Sequence, residues 1–124
     1  MNSKVTMVLR IILGLILIIF GANKFAGFMP APELPEAAGN FMSALSVAGY
    51  MFPLIGAVEV IVGLLLVFKK WVPFSLLLLA PVSVNIIFFH LMLAPAGIGP
   101  GAVLAILNVA LIYAYWDSYK PLFD

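Results

Sequence analysis

Residues 56–68 read GAVEVIVGLLLVF, and only Glu59 in this stretch carries a polar side chain. A run of this composition is typical of a helix that lies in a lipid bilayer. A charged side chain at the bilayer centre costs about 2.5–3.5 kcal/mol on insertion scales, so such residues face the protein interior and not lipid. The stretch therefore predicts a membrane helix, and Glu59 marks the face that packs against other helices.

The whole chain has the composition of a membrane protein. Its 124 residues are 65% hydrophobic and 9% charged, and the mean hydropathy is +1.24. Soluble domains carry about 25% charged residues, and a chain this short buries too little surface to hide so many apolar side chains from water. The expected solvent is lipid, and the bilayer is the first expected partner.

The rare residue types exclude several classes of function. The net charge is +1 and the basic residues are scattered, which argues against a nucleic-acid partner. The chain has no cysteine and one histidine. We therefore expect no disulfide, no thiol redox chemistry, no iron–sulfur cluster held by this chain and no metal site.

A membrane helix needs about 20 mostly apolar residues, and four stretches of the chain come close to this length. They predict spans at about 5–22, 50–68, 72–93 and 101–116. Pro73 and Pro100 suit a first helical turn, residues 94–101 (APAGIGPG) form a turn, and Pro81 predicts a kink. We expect one all-α transmembrane domain over residues 1–124, an up-down four-helix bundle. Because three spans follow it, the first is expected to be a retained helix and not a cleaved signal peptide.

Basic residues predict the orientation of this bundle. Lys24 falls on one side, and the other five fall on the opposite side: Lys4, Arg10, Lys69, Lys70 and Lys120. Both termini should therefore be cytoplasmic, in a multi-pass protein of the plasma (inner) membrane. An aromatic belt is expected at the inner interface, formed by Trp71, Tyr113, Tyr115, Trp116 and Tyr119.

The segment between the first two spans is expected to lie outside. It opens with Pro30, Pro32 and Pro35, which predicts an extended beginning. After Pro35, Phe41 and Leu45 fall at helical spacing, which predicts a short helix lying on the outer surface over the mouth of the bundle. An unstructured tether is the alternative.

The polar residues at lipid depth form two predicted layers, if each span's midpoint is placed at the bilayer centre with a rise of about 1.5 Å per residue. The central layer contains Arg10, Glu59, Asn85 and Asn108. The outer layer contains Asn23, Lys24 and His90. On the first two spans, helical phase puts the charged residues Arg10, Lys24 and Glu59 on inward faces. The same faces carry glycines that allow close helix packing, namely Gly14 and Gly21 on the first span and Gly56 and Gly63 on the second.

Each polar residue has a structural and a functional interpretation. Glu59 is either a structural acid paired with Arg10 that fixes helix register, or a protonated functional acid, or a contact in an oligomer. Asn85 and Asn108 are the residue type that hydrogen-bonds between membrane helices. His90 suits interfacial packing as well as chemistry, and Lys24 suits a helix-end anchor. No residue is assigned a catalytic role from the sequence.

Three motifs resemble the DoxX/DoxD-like family of small membrane proteins. Residues 10–25 (RIILGLILIIFGANKF) contain an arginine, a glycine four residues later and a Gly-x-x-Lys. Residues 56–66 (GAVEVIVGLLL) contain Gly-x-x-Glu-x-x-x-Gly, and residues 85–93 (NIIFFHLML) precede a Pro/Gly turn. The positions that match are Arg10, Gly14, Gly21, Lys24, Glu59, Gly63, Asn85 and His90.

The resemblance implies a four-helix membrane bundle. Named members are linked to thiosulfate:quinone oxidoreduction and to membrane redox complexes, and most members have no established activity. A shared fold alone does not assign a function.

Three functions are compatible with these residues. The first is a subunit of a redox-associated complex that binds a quinone, the candidate cofactor, in a polar cleft where Glu59 and His90 deliver protons. The second is a non-catalytic membrane adaptor or assembly factor. The third is an acid–base enzyme acting on a lipid. The first two need a membrane protein partner or a homo-oligomer.

Overall fold

The computed structural model describes residues 2–28 and 33–124, of which 87% are helical and none lies in a strand. The helices are α1 (Ser3–Ala26), α2 (Glu36–Ala48), α3 (Met51–Val67), α4 (Val72–Leu93), α5 (Ile98–Ala114) and α6 (Trp116–Tyr119). Two 3-10 turns occupy Pro95–Gly97 and Lys120–Phe123. The all-helical prediction is confirmed for this part of the chain.

Several of these helices can cross a membrane. By length and composition they are Ser3–Ala26, Val72–Leu93 and Pro95–Ala114, and the pair α2 and α3, bent by 90° at its break, supplies up to a fourth span. On its own α3 has 17 residues, which is about 25 Å of helix. The bounds of α4 agree with the prediction, whereas α5 begins three residues early because the 3-10 turn leads directly into it.

Helices α1 and α3 pack antiparallel along a seam of glycines. A Cβ added to Gly14 would lie 2.9 Å from the carbonyl oxygen of Gly63, and one added to Gly21 would lie 2.9 Å from that of Gly56. Only glycine permits two backbones to approach this closely. The two glycine pairs therefore fix which residues of α1 face which residues of α3.

The remaining helices complete one packed core. Helix α4 packs against α3 and α5, and α5 also contacts α1. Contacts of Ser83 with Asn108 and of His90 with Gly101 show that α4 and α5 are antiparallel. The core consists of buried aliphatic side chains from four helices: Leu13, Leu17, Val62, Leu66, Val72, Leu76, Leu79, Leu104 and Leu111.

The segment after Pro35 is a helix, so the unstructured tether is wrong. Pro35 is the N-cap of α2, and Ala38 is its buried residue. Helix α2 contacts α3 and α4, with the rings of Phe41 and Phe89 5.6 Å apart. The predicted extended start of this segment, at Pro30 and Pro32, lies outside the described residues.

The C-terminal segment folds back onto the start of α4. Tyr119 is 3% exposed, and its hydroxyl donates a hydrogen bond of 2.6 Å to the carbonyl oxygen of Pro73. Trp116 stacks on Phe123 at 5.6 Å. These contacts hold α6 against the bundle beyond the end of α5.

Candidate functional site

Glu59 is held in a buried ion pair with Lys24. The Lys24 Nζ lies 2.6 Å from the Glu59 Oε1, and Glu59 as a residue is 1% exposed. At this distance the ammonium and carboxylate groups form a close ion pair. The predicted pairing of Glu59 with Arg10 is wrong.

The direction of side chains on antiparallel helices explains this correction. A helical side chain tilts toward the N-terminus of its own helix. Lys24 starts beside Gly56, where its Cβ would lie 3.1 Å from an added glycine Cβ, and tilts along α1 toward the level of Glu59. Glu59 tilts the opposite way along α3, so the two side chains meet. The separate central and outer layers predicted for these residues therefore do not hold.

Arg10 tilts away from Glu59 and reaches the end of α3. Its guanidinium donates hydrogen bonds to the carbonyl oxygens of Leu66 and Val67, the latter at 3.3 Å, and Arg10 is 6% exposed. The last carbonyls of a helix lack partners within the helix and carry partial negative charge. Arg10 therefore satisfies the C-terminus of α3.

Asn108 joins α5 to α4. It is 2% exposed, its Oδ1 accepts a 3.0 Å hydrogen bond from the Ser83 hydroxyl, and its Nδ2 donates one of 3.2 Å to the carbonyl oxygen of Leu76. Ser83 was not selected from the sequence. Ser75, Leu79 and Ser83 recur every four residues and are all buried, and this spacing is the signal that identifies the inward stripe of α4.

Asn85 lies outside this buried cluster, contrary to the prediction. It is exposed, and its side chain donates a 2.8 Å hydrogen bond to the carbonyl oxygen of Pro81 on its own helix. Two residues along a helix correspond to a rotation of about 200°. Because Ser83 faces inward, Asn85 must face outward. A predicted depth close to that of Glu59 and Asn108 therefore did not place Asn85 on the inward face of its helix.

His90 is half-buried and packs at the turn between α4 and α5. Its Nδ1 lies 3.3 Å from the carbonyl oxygen of Ala94, and its ring meets Phe89 edge-on with centroids 5.1 Å apart. A Cβ on Gly101 would lie 3.1 Å from the imidazole Cδ2. The ring thus fills the space that the glycine of α5 leaves open.

Two open grooves on the described part of the chain lie away from these polar groups. One, of about 410 Å³, is lined by Ile61, Leu64, Leu65, Phe68 and Lys70. The other, of about 260 Å³, is lined by Tyr113, Ala114, Trp116 and Asp117. Neither includes Glu59, Lys24 or His90 in its lining, so the polar cleft predicted between Glu59 and His90 is not one of them.

Most of the chain is similar to one known protein family. No curated protein and no solved structure matches it with significance. The family model described as DoxX matches residues 5–92. This range contains α2, α3 and most of α1 and α4, and it includes both glycine pairs and the Lys24–Glu59 ion pair. Since the match covers more than half of the sequence, this chain, a small membrane protein, belongs to the DoxX family.

Proposed function

We propose that α1, α3, α4 and α5 cross the plasma membrane as an up-down bundle with both termini in the cytoplasm. The distribution of basic residues supports this orientation, since five of the six fall on the side of the bundle where the two termini lie. The 90° bend between α2 and α3 supports a placement of α2 along the outer surface, and the glycine seam supports α3 as a partner of the long helix α1. Residues 1–124 then form a single domain.

We propose that the protein is a small, non-catalytic membrane subunit of a redox-associated complex. The DoxX family match supports the redox association. The observation that carries the non-catalytic role is that the inward polar side chains are engaged within the chain itself. Glu59 meets Lys24, Arg10 meets the end of α3, and Asn108 meets α4. Groups engaged in this way stabilise a particular helix arrangement and are poorly placed to react with a substrate.

The surface best suited to a partner is α2. Val47 is 84% exposed on this helix, and the adjoining Tyr50 is 63% exposed. Exposed apolar and aromatic side chains near a bundle end are typical of protein–protein contacts. The membrane protein partner, or a second copy of the chain, would pack against this helix.

The test is recovery of partners on a tagged protein extracted in mild detergent. Glu59→Gln should leave the recovered set unchanged, because the partner contacts a different surface. Val47→Asp should lower recovery, and Ser46→Asp, on the same exposed helix, serves as its charge-matched control. If Glu59→Gln abolished a turnover of the complex while the bundle stayed folded, the non-catalytic role would be wrong.

A second candidate function is quinone binding beside Lys24 and Glu59. One observation favours it: the Lys24 side chain is 23% exposed while that of Glu59 is 2% exposed, so the pair connects a buried acid to the surface. Quinone reduction needs protons at a buried ring, and a partner would supply the electrons. Co-purified quinone and a thermal shift on adding quinone, both lost in Glu59→Gln, would support quinone binding. If the wild-type protein showed neither effect, quinone binding would be excluded.

A further inference from the structure

A groove runs along the side of α3 that faces away from the core. Its apolar lining residues, Ile61, Leu64, Leu65 and Phe68, recur at helical spacing and form one stripe, and the groove volume is about 410 Å³. Pockets for small molecules measure about 300–1,000 Å³. The opposite face of α3 carries the buried Glu59 and Gly63, so this groove is distinct from the ion pair and its surroundings.

One end of the groove is positively charged. Lys70 completes its lining, and Lys69 precedes it in a compact turn where Lys69 and Trp71 adopt left-handed backbone conformations, with φ of 54° and 50°. The amide of Lys70 donates a 2.8 Å hydrogen bond to the carbonyl oxygen of Leu65. This turn places two exposed lysines next to each other at the end of α3. Left-handed conformations are unfavourable for residues other than glycine.

Neither Lys69 nor Lys70 forms an ion pair with an acid in the described part of the chain. Between Glu59 and Asp117 the chain contains no aspartate or glutamate. Glu59 is paired with Lys24, and Asp117 is paired with Lys120 at 3.0 Å. The groove is therefore apolar along about 10 Å of α3, from Ile61 to Phe68, and cationic at its end.

We propose that this groove is a binding site for one anionic phospholipid. An acyl chain lies along the stripe from Ile61 to Phe68, and the headgroup phosphate contacts Lys70 and Lys69. Trp71, 73% exposed at the same turn, is the residue type that lies at headgroup level. A hydrocarbon chain with a negative end matches this surface, whereas a zwitterionic lipid matches only its apolar part. The site rests on the proposed crossing of the membrane by α3, and it is independent of the proposed role in a complex.

The test measures which lipid lies next to Trp71. The chain has two tryptophans, so Trp116→Phe leaves Trp71 as the only one. The protein is reconstituted in phosphatidylcholine vesicles with a small fraction of lipid brominated on its acyl chains, either phosphatidylglycerol or phosphatidylcholine. Bromine quenches tryptophan fluorescence on contact, and the ratio of the two quenching curves gives the preference for the anionic lipid.

Two pairs of variants separate the site from general effects. Lys70→Gln should lower the preference about fivefold, since a lysine near an anionic surface contributes that factor. Lys4→Gln, the same charge change at the exposed start of α1, should leave it unchanged. Leu64→Phe should fill the groove and reduce quenching by both lipids. Leu77→Phe, at a residue of similar exposure on α4 (44% against 43%), should not.

Three results would overturn the proposal. Equal effects of Lys70→Gln and Lys4→Gln would mean that net charge, and not a site, attracts the lipid. No preference in the Trp116→Phe protein would mean that no anionic lipid is selected. Complete disulfide crosslinking of an Ile61→Cys variant in vesicles would mean that a second copy of the chain occupies the groove.

Discussion

At the scale of single residues, the contact between Lys24 and Glu59 decides how α1 and α3 meet. An ion pair away from water stabilises a protein only where its geometry offsets the loss of hydration, but removal of one partner leaves the other uncompensated. Here the two partners differ in exposure, since the Lys24 side chain is 23% exposed and that of Glu59 is 2% exposed. The consequences of losing each partner should therefore differ.

We predict that Lys24→Met lowers the free energy of unfolding more than Glu59→Leu does. Without Lys24, the buried carboxyl group of Glu59 is left without its partner, which costs about 3–5 kcal/mol. Without Glu59, Lys24 can turn toward the nearby protein surface, so the cost should be at least about 1 kcal/mol smaller. Unfolding by titration with a denaturing detergent measures both. Equal losses, or a larger loss in Glu59→Leu, would contradict this asymmetry.

At the scale of helices, the α1–α3 seam depends on glycines that let two backbones touch. We predict that Gly63→Ala lowers the free energy of unfolding by about 1–3 kcal/mol, the usual cost of overpacking. A Cβ there would lie 2.7 Å from the carbonyl oxygen of Gly14 and 2.7 Å from the Cγ1 of Ile18, so the helices must separate.

The matched control for this substitution is Gly39→Ala in α2. An added Cβ meets nothing within 4 Å at Gly39, and alanine favours a helix over glycine by up to about 1 kcal/mol. This variant should be neutral or more stable in the same detergent titration. A seam variant as stable as the wild type would show that close backbone contact is not what fixes α1 against α3.

The C-terminal segment should detach from α4 at high pH. Burial, and after it the neighbouring Tyr115, raises the pKa of Tyr119 to about 12 from its ordinary value of 10.0. Between these values the folded state keeps the phenol neutral while the unfolded state ionises it. The stabilisation by Tyr119 is therefore complete below pH about 10 and is lost as the pH rises through about 12.

Phenolate absorbance followed against pH measures this titration. One tyrosine should titrate later than the others, and Tyr119→Phe should remove that late step together with the hydrogen bond to Pro73. Tyr113→Phe, at a residue that is 72% exposed, should leave the late step in place. A late step that survives in Tyr119→Phe would assign it to another tyrosine.

At the scale of the whole molecule, the helices could be predicted from the sequence better than the contacts between them. Apolar length predicted α3 and α4, because a membrane helix needs about 20 apolar residues, and Pro73 marked the first turn of α4. The partner of Glu59 was missed because depth along the membrane was judged from backbone position, while Lys24 and Arg10 tilt along α1. Asn85 was misplaced because the depth of a residue in the membrane does not tell which way it faces around its helix. The inward face of α4 is recognised from the contact of Ser83 with Asn108 of α5.

The proposed topology can be tested by labelling single introduced cysteines, because the natural sequence contains none. A membrane-impermeant maleimide applied to intact cells should label Asn40→Cys in α2. It should label Ser3→Cys, Lys70→Cys and Ser118→Cys only after permeabilisation. Residues 40 and 70 flank α3, so labelling of both from outside would mean that α3 does not cross the membrane.

The central claim is that Lys24, and not Arg10, is the partner of Glu59. A double-mutant cycle tests it most directly, with unfolding free energies measured for Lys24→Met, Glu59→Leu and the combination, and for Arg10→Met, Glu59→Leu and their combination. Contacting residues couple by about 0.5–3 kcal/mol, whereas separate ones add. We predict a coupling of at least about 1 kcal/mol between Lys24 and Glu59 and additivity between Arg10 and Glu59; additivity in the first cycle, or coupling only in the second, would contradict the account.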